Sequence, residues 1–286
     1  PKTDRGMANL SETIQQLCRY KPEYISVTYG AGGGNVGANR QVCRMVRNAG
    51  TVPVTHFTVI RNTKQGIREQ LETYLKEGVD HILALRGDFP RGETSTGGDF
   101  NYATDLVKFI RDEFGEQFEI AVAGSPEGHI SCRSLEADIG VLKMKQDNGA
   151  DYIMTQLCWD MEQFERWLDK IRRAGVTLPV DVGIMPILDQ AATINMALSR
   201  NGCVMDRELS RLISKYWIFP NPFDKAPFDD SLEQKKADFK KAGIEYTIRQ
   251  IDKYRSLGVE GIHLYAMNKW KDVSQIIERS GIRTLI

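Results

Sequence analysis

The sequence predicts an α/β fold, a (β/α)8 TIM barrel of parallel strands and helices. Seven short apolar runs recur along its 286 residues, and most are followed by a helical pattern of apolar positions. Five of these runs come shortly after a glycine that ends the preceding helix: Gly50, Gly78, Gly149, Gly175 and Gly258. Strand, loop, helix and glycine in this order is typical of βα units around a parallel sheet.

The predicted strands begin near residues 25, 54, 82, 120, 153, 182 and 262. Only the last interval is much longer than one strand–helix unit. It contains helical patterns near 190–200 and 206–217, a loop rich in Pro, Phe and Asp at 220–230, and one long helix. We therefore expect extra helices between the last two strands and a single catalytic domain over residues 1–286.

Four helix starts can be placed from side chains that cap the first turn. The predicted capping residues are Asn62, Ser134, Asp160 with Gln163, and Ser231 with Gln234. Seven strands do not close an eight-stranded barrel, and the sequence opens on a helix-like stretch. We expect a first strand to precede the sequence shown.

Composition narrows the classes of function. Lys plus Arg and Asp plus Glu both total 38, so the formal net charge is zero and no nucleic-acid or membrane-surface partner is indicated. The apolar runs are too short to span a bilayer. The five cysteines form no C-x-x-C pair, which favours reduced thiols in a cytoplasmic protein and no metal site.

Glycines follow the first predicted strand in the pattern G-x-G-x-x-G, at Gly32, Gly34 and Gly37. This pattern can indicate a dinucleotide-binding fold, but the next strand lacks the acidic residue that would hold the ribose. A glycine loop at the mouth of the barrel is the better interpretation.

Polar residues end two of the apolar runs. Arg86 and Asp88 flank Gly87, and they either form an ion pair at the rim or face a ligand, with Arg86 binding an anionic group. Gln156 ends another run, and its amide suits the edge of a pterin or nicotinamide, although a bond to loop backbone is an equal alternative. A wide mouth with such groups suits a planar cofactor.

Histidines and one lysine give weaker signals. His129 follows a strand in a polar loop, and Lys145 shares a helix face with Asp138, where a solvated charged face is the default. His56 lies within a strand, and a lone His is more often structural than catalytic. We interpret His263 as structural.

Several motifs in order resemble the methylenetetrahydrofolate reductase family of one-carbon metabolism and methionine biosynthesis. They are Ser26-Val-Thr-Tyr-Gly30, Ala84-Leu-Arg-Gly-Asp88, Asn101-Tyr-Ala-Thr-Asp-Leu106, the run 120–129, the run 150–156 and Leu264-Tyr-Ala-Met-Asn-Lys269. The resemblance implies an eight-stranded barrel that binds FAD. It further implies reduction of methylenetetrahydrofolate by NADH or NADPH through a ping-pong transfer of hydride.

The resemblance also implies roles for individual residues. Asp88 and Gln156 would be catalytic, Asp88 beside the flavin ring and folate. Gln156, Met196 and Lys269 would contact substrate. The implied FAD-binding residues are Thr28, Tyr29, Ala31, His56, Arg86, Gly87, Asp88, Tyr102, Ala103, Ala123, Ser125, His129, Asp138 and Lys145.

The sequence departs from the family pattern in places. Family members often have Tyr at the position of Ser125, aromatic residues at 157 and 158, Phe near Met196 and Arg at Lys269. The family's general acid is a Glu in the first strand, which the resemblance places ahead of Pro1. The expected assembly is a homo-oligomer.

Two alternative functions stay open. One is a pterin-binding barrel that transfers a methyl group without flavin, and the other is a subunit that depends on a second protein.

Overall fold

The computed structural model describes residues 3–28, 36–89, 92–199, 201–218 and 232–282. Within them, seven strands form one parallel sheet whose spatial order is the order of the chain. The strands are β1 (Tyr24–Val27), β2 (Val52–Thr58), β3 (His81–Leu85), β4 (Glu119–Gly124), β5 (Tyr152–Thr155), β6 (Val180–Ile184) and β7 (Gly261–Leu264). The seven strands predicted from sequence are confirmed.

Helices connect consecutive strands and cover the outside of the sheet. They are α1 (Asp4–Cys18), α2 (Val36–Asn48), α3 (Lys64–Lys76), α4 (Ala103–Phe114), α5 (Leu135–Asp147), α6 (Met161–Arg173), α7 (Gln190–Ala197), α8 (Arg207–Lys215), α9 (Leu232–Ser256) and α10 (Trp270–Ser280). Helices α7 to α9 lie between β6 and β7, as expected. Among the helices described, none is both long and apolar enough to cross a bilayer.

The core has two layers because side chains alternate across each strand. Phe57 of β2 and Ile82 of β3 point outward and pack with the helices. Val54 and Leu83 of the same strands point inward and form an inner cluster with Tyr152 and others. The inward positions therefore decide what the interior of the curled sheet contains.

The helix caps are partly as predicted. Ser134 Oγ accepts from Ala137 N and Asp160 Oδ1 accepts from Gln163 N, so these two caps are confirmed. The prediction for Asn62 is wrong. Its amide donates to Thr58 O at 3.1 Å, and neighbouring Thr63 caps α3 instead.

Two further capping predictions have other outcomes. The Gln163 amide donates to Pro126 O, so Gln163 does not complete a capping box with Asp160. Ser231 lies outside the described residues.

The sheet curls so far that its two end strands approach each other across the interior. Ser26 Oγ of β1 lies 2.9 Å from His263 Nε2 of β7, and Tyr24 OH donates to Asp181 Oδ2 of β6 at 2.6 Å. In the part of the chain that is described, β1 and β7 are not paired with each other. Over the described residues the architecture is a seven-stranded, barrel-like parallel sheet.

Candidate functional site

A cavity of about 2440 Å³ occupies the interior of the curled sheet, and residues from both ends of the strands line it. Asp88 and Gln156, predicted from different strands, both line it. So do most of the other predicted site residues: Thr28, His56, Arg86, Gly87, Tyr102, Ala103, Ala123, Ser125, His129, Asp138 and Lys145. The carboxyl ends of parallel strands share one edge, which explains why residues so distant in sequence meet here.

Four predicted site residues are not placed on this wall. Tyr29 and Ala31 lie outside the described residues. Met196 is half-buried and packs against a second cluster that contains Leu157 and Trp159. Lys269 is exposed in the turn before α10.

Asp138 organises the loop between β4 and α5. It lies in the first turn of α5, and its carboxylate accepts from His129 N at 3.2 Å and from Cys132 Sγ at 3.3 Å. Ser131 N in turn donates to His129 Nδ1 at 3.1 Å. The loop therefore folds back onto the start of the helix and presents its side chains to the cavity.

Lys145 brings a positive charge into the cavity from the far end of α5. Its Nζ donates to Ala123 O at 2.8 Å, so the side chain reaches the carboxyl end of β4. Burial lowers the pKa of Lys145, and the negative charge of Asp138 opposes that shift. The default interpretation of a solvated charged face does not hold for this residue, because the amine faces the cavity.

Arg86 and Asp88 line the cavity without neutralising each other. Arg86 Nε donates to Gly87 O at 3.3 Å, and its guanidinium lies 4.5 Å from the centre of the Phe89 ring. No Arg86–Asp88 ion pair forms in the described structure. The alternative of an ion pair that only seals the rim therefore loses its support.

Three buried polar atoms lining this region have no hydrogen-bond partner in the described structure. They are His56 Nε2, Thr58 Oγ1 and His263 Nδ1. Burial lowers the pKa of His56 to about 4, and burial together with repulsion from His56 lowers that of His263 to about 4. Both imidazoles are neutral at pH 7. Buried polar atoms are rarely left without a partner, so these atoms indicate a ligand or ordered water in the cavity.

Close approach of backbone shapes the wall at Gly87. Its φ of +85° is in the left-handed region, and a Cβ there would lie 2.7 Å from Ile60 Cγ1 and 3.0 Å from Thr58 Cβ. Glycine satisfies both requirements.

Sequence reasoning missed Ser26, Thr58 and the interior position of His263. A usable signal was present, because each lies two residues from another inward-facing position on its strand. Polar residues at such positions face the interior of a barrel and not its helices.

These features define a class of protein: a barrel-like parallel βα protein with a large cavity that combines cations, a carboxylate, an amide and unpaired polar atoms. The comparisons narrow the class. Residues 1–213 match the family model described as methylenetetrahydrofolate reductase. The chain belongs to the methylenetetrahydrofolate reductase family.

Several curated proteins are similar over 99% of this chain. Methylenetetrahydrofolate reductase 1 of Schizosaccharomyces pombe is 32% identical, and methylenetetrahydrofolate reductase (NADH) 1 of Arabidopsis thaliana is 31% identical. The chain spans 45% and 47% of these two relatives, a little under half of their length. It is 28% identical to 5,10-methylenetetrahydrofolate reductase of Escherichia coli and covers 88% of that protein.

One solved structure shares the fold. It is an uncharacterized protein from Clostridium thermocellum that binds two copies of 5-methyl-5,6,7,8-tetrahydrofolic acid. The TM-score is 0.63 at 11% identity, over 98% of this chain and 91% of that one.

Proposed function

We propose that this chain is the catalytic barrel of a reductase that converts 5,10-methylenetetrahydrofolate to 5-methyltetrahydrofolate with NADH or NADPH, through bound FAD. The observation that carries the proposal is that Asp88 and Gln156 face one cavity together with Arg86 and Lys145. Family membership supports the reaction, and relatives named for NADH and for NADPH support a nicotinamide co-substrate.

The cavity residues fit a flavin nucleotide. Arg86 and Lys145 form no direct ion pair with a carboxylate in the described structure, and they would hold anionic phosphates. The unpaired His56 Nε2 and Thr58 Oγ1 would meet the polar edge of a ring system that both donates and accepts hydrogen bonds.

FAD, when bound, supplies a carrier that takes a hydride from the nicotinamide and passes it to the folate. The residues of the chain would orient the rings and place charges beside the reacting atoms. The Gln156 amide would hold whichever ring is present, pterin or nicotinamide, because it donates and accepts at once. Leu157 N donates to Gln156 Oε1 at 3.0 Å, so the bond to loop backbone that the sequence left open is present and fixes the half-buried side chain.

Asp88 would act on the folate. The reactive form of the substrate is an iminium cation, and a carboxylate beside it stabilises the positive charge until the hydride arrives at the methylene carbon. The nitrogen that is released when the bridging ring opens needs a proton. None of the described residues is assigned as that proton donor.

We also propose that an eighth strand closes the barrel between β1 and β7. The cavity continues between these strands, where α1 and α10 present Leu10, Ile14 and Ile277. Backbone edges facing this space need partners. Amide hydrogen exchange tests the closure: slow exchange along the outer edges of β1 and β7 is expected, and rapid exchange there would contradict it.

The reductase proposal is tested by the colour and half-reactions of the purified protein. We expect a yellow protein that is bleached by NADH or NADPH without oxygen and recoloured by methylenetetrahydrofolate. A colourless protein that still binds folate would support the flavin-free methyltransferase-type alternative, for which the folate-binding structural neighbour is the relevant observation. Gln156→Ala should raise KM for the folate, and unchanged kinetics would remove Gln156 from the site.

Assembly and compartment are further proposals. We propose a homo-oligomer, and we place it in the cytoplasm because its five cysteines are all free thiols. Sedimentation of the purified chain tests the assembly. Turnover by the chain alone would exclude dependence on a second subunit.

A further inference from the structure

Two loops at the mouth of the barrel are joined through Glu127. Glu127 lies in the loop between β4 and α5, and its Oε1 and Oε2 accept from Val204 N at 3.0 and 3.2 Å. Val204 belongs to residues 201–206, which precede α8 and are called here the α8 approach. Gly202 (φ +79°) lies so close to the first loop that a Cβ would be 3.1 Å from Ile130 Cγ2.

The α8 approach is connected to residues of the proposed site. Asn201 Nδ2 donates to Met196 O at 2.9 Å, and Cys203 N donates to Asn201 Oδ1 at 2.9 Å. Cys203 Sγ donates at 3.2 Å to the carbonyl oxygen of Leu157, the residue that follows Gln156 in the sequence. A displacement of the α8 approach would therefore change the surroundings of Met196 and Gln156 together.

The other side of the contact is firmly held. Gln163 Nε2 of α6 donates to Pro126 O at 2.8 Å, and Asp138 holds the loop at His129 N. Glu127 thus projects from an anchored loop toward the α8 approach.

We propose that Glu127 is a positioning residue: its side chain fastens the α8 approach to the β4–α5 loop, shapes the folate side of the cavity, and fastens more firmly when the carboxyl group is protonated. The effect on the folate side of the cavity rests on the proposed function. The attachment of the α8 approach to the β4–α5 loop does not depend on it.

The charges around Glu127 explain the preference for the protonated form. Burial raises the pKa of Glu127 to about 7, Asp160 at the start of α6 adds to the shift, and the Val204 N–H opposes it. Asp160 has Arg166 at 4.0 Å. The charge of Glu127 also raises the pKa of the Cys158 and Cys203 thiols and of the Tyr254 hydroxyl of α9.

The direction of the pH dependence follows from this shift. A glutamate in water has a pKa of ~4.3, well below the value of about 7 for Glu127 in the contact. Glu127 therefore binds its proton more tightly when it contacts Val204 than when it is released into water. Raising the pH through about 7 ionises the fastened carboxyl group and favours its release into water. The α8 approach should then be held less tightly at pH 8 than at pH 6.

Thiol labelling measures the fastening without any ligand. Cys203 is buried beside the contact, and a disulfide reagent such as DTNB labels it only when the α8 approach moves away. Wild type, Glu127→Gln and Glu127→Ala are compared at equal pH, and Cys203→Ser identifies the labelled thiol. Gln keeps an oxygen acceptor for Val204 N but carries no charge, so it is the matched control for Ala.

At pH 8 we expect Glu127→Gln to label Cys203 more slowly than wild type, and Glu127→Ala to label it about tenfold faster than Glu127→Gln. At pH 6 wild type and Glu127→Gln should agree. Equal rates for all three proteins at both pH values would overturn the proposal. Circular dichroism confirms that each variant is folded.

Kinetics then test the folate part. KM for methylenetetrahydrofolate should rise with pH in wild type relative to Glu127→Gln. An inactive protein with the expected labelling pattern would refute the proposed function and leave the fastening intact. An active protein whose KM ratio does not vary with pH would refute the role of Glu127 in folate binding.

Discussion

Replacing Gly87 with Ala tests whether the wall of the cavity is as tightly built as the structure indicates. Gly87 has φ +85°, and an added Cβ would lie 2.7 Å from Ile60 Cγ1 and 3.0 Å from Thr58 Cβ. Ile60 and Thr58 are both buried, at 1% and 4% exposure, so neither can move aside into solvent. The substitution therefore combines backbone strain with overpacking.

The two contributions can be estimated separately. A left-handed backbone conformation costs a non-glycine residue about 1–2 kcal/mol. Overpacking of a filled interior costs about 1–3 kcal/mol. The expected loss of unfolding free energy for Gly87→Ala is therefore about 2–5 kcal/mol.

Gly92→Ala is the matched control. Gly92 has nearly the same φ, +87°, but no atom lies within 4 Å of an added Cβ. Gly92→Ala should lose only the unfolding free energy that backbone strain costs, about 1–2 kcal/mol. Urea unfolding followed by circular dichroism, on proteins with equal flavin content, gives both values.

The difference between the two variants isolates the packing at Gly87. We expect Gly87→Ala to be less stable than Gly92→Ala by about 1–3 kcal/mol. Its affinity for FAD should also fall, since Thr58 lies on the cavity wall. Equal unfolding free energies for the two variants would refute the packing argument.

Three further predictions concern charge. The pKa values of His56 and His263 are lowered to about 4, so the folded state binds fewer protons than the unfolded state and stability is lost as the pH falls from 6.5 to 4. His56→Gln and His263→Gln should each reduce this loss, by at most about 3 kcal/mol in urea unfolding at low pH. An unchanged pH dependence of the unfolding free energy would contradict the burial argument. Lys145→Met should weaken FAD binding about tenfold or more by fluorescence titration, with Lys145→Arg retaining more affinity; equal affinity in Lys145→Met would exclude a contact with the cofactor. Asp88→Asn should slow reoxidation of the reduced flavin by the folate more than flavin reduction by NADH in stopped-flow measurements, whereas equal losses would argue against its position beside the iminium.

The strands were predictable because their signals are local. An apolar run between a helix-ending glycine and a polar loop needs no knowledge of distant residues, and each observed strand begins within a residue or two of its predicted start. The cap of α3 shows the limit of such reasoning. Asn62 and Thr63 are both good caps by sequence, and the hydrogen bond from Asn62 back to Thr58 O decides between them.

The candidate site was predictable only in part. Polar residues at strand ends, such as Asp88 and Gln156, could be expected at one mouth from the parallel topology. Lys145 could not be assigned from its spacing, because a lysine on a helix face is equally suited to solvent. Glu127 gave no signal, since its partner is the backbone of Val204, which lies far along the chain.

The sequence by itself determined the order and type of the elements, since glycines, caps and apolar periodicity act over a few residues. The tertiary structure decided which polar groups became neighbours and which were buried away from solvent. The contact of Ser26 with His263, the reach of Lys145 to Ala123 O and the shifted pKa of Glu127 all depend on the curl of the sheet and the depth of burial. Both are properties of the whole fold, because they arise from distances between segments that no local pattern records.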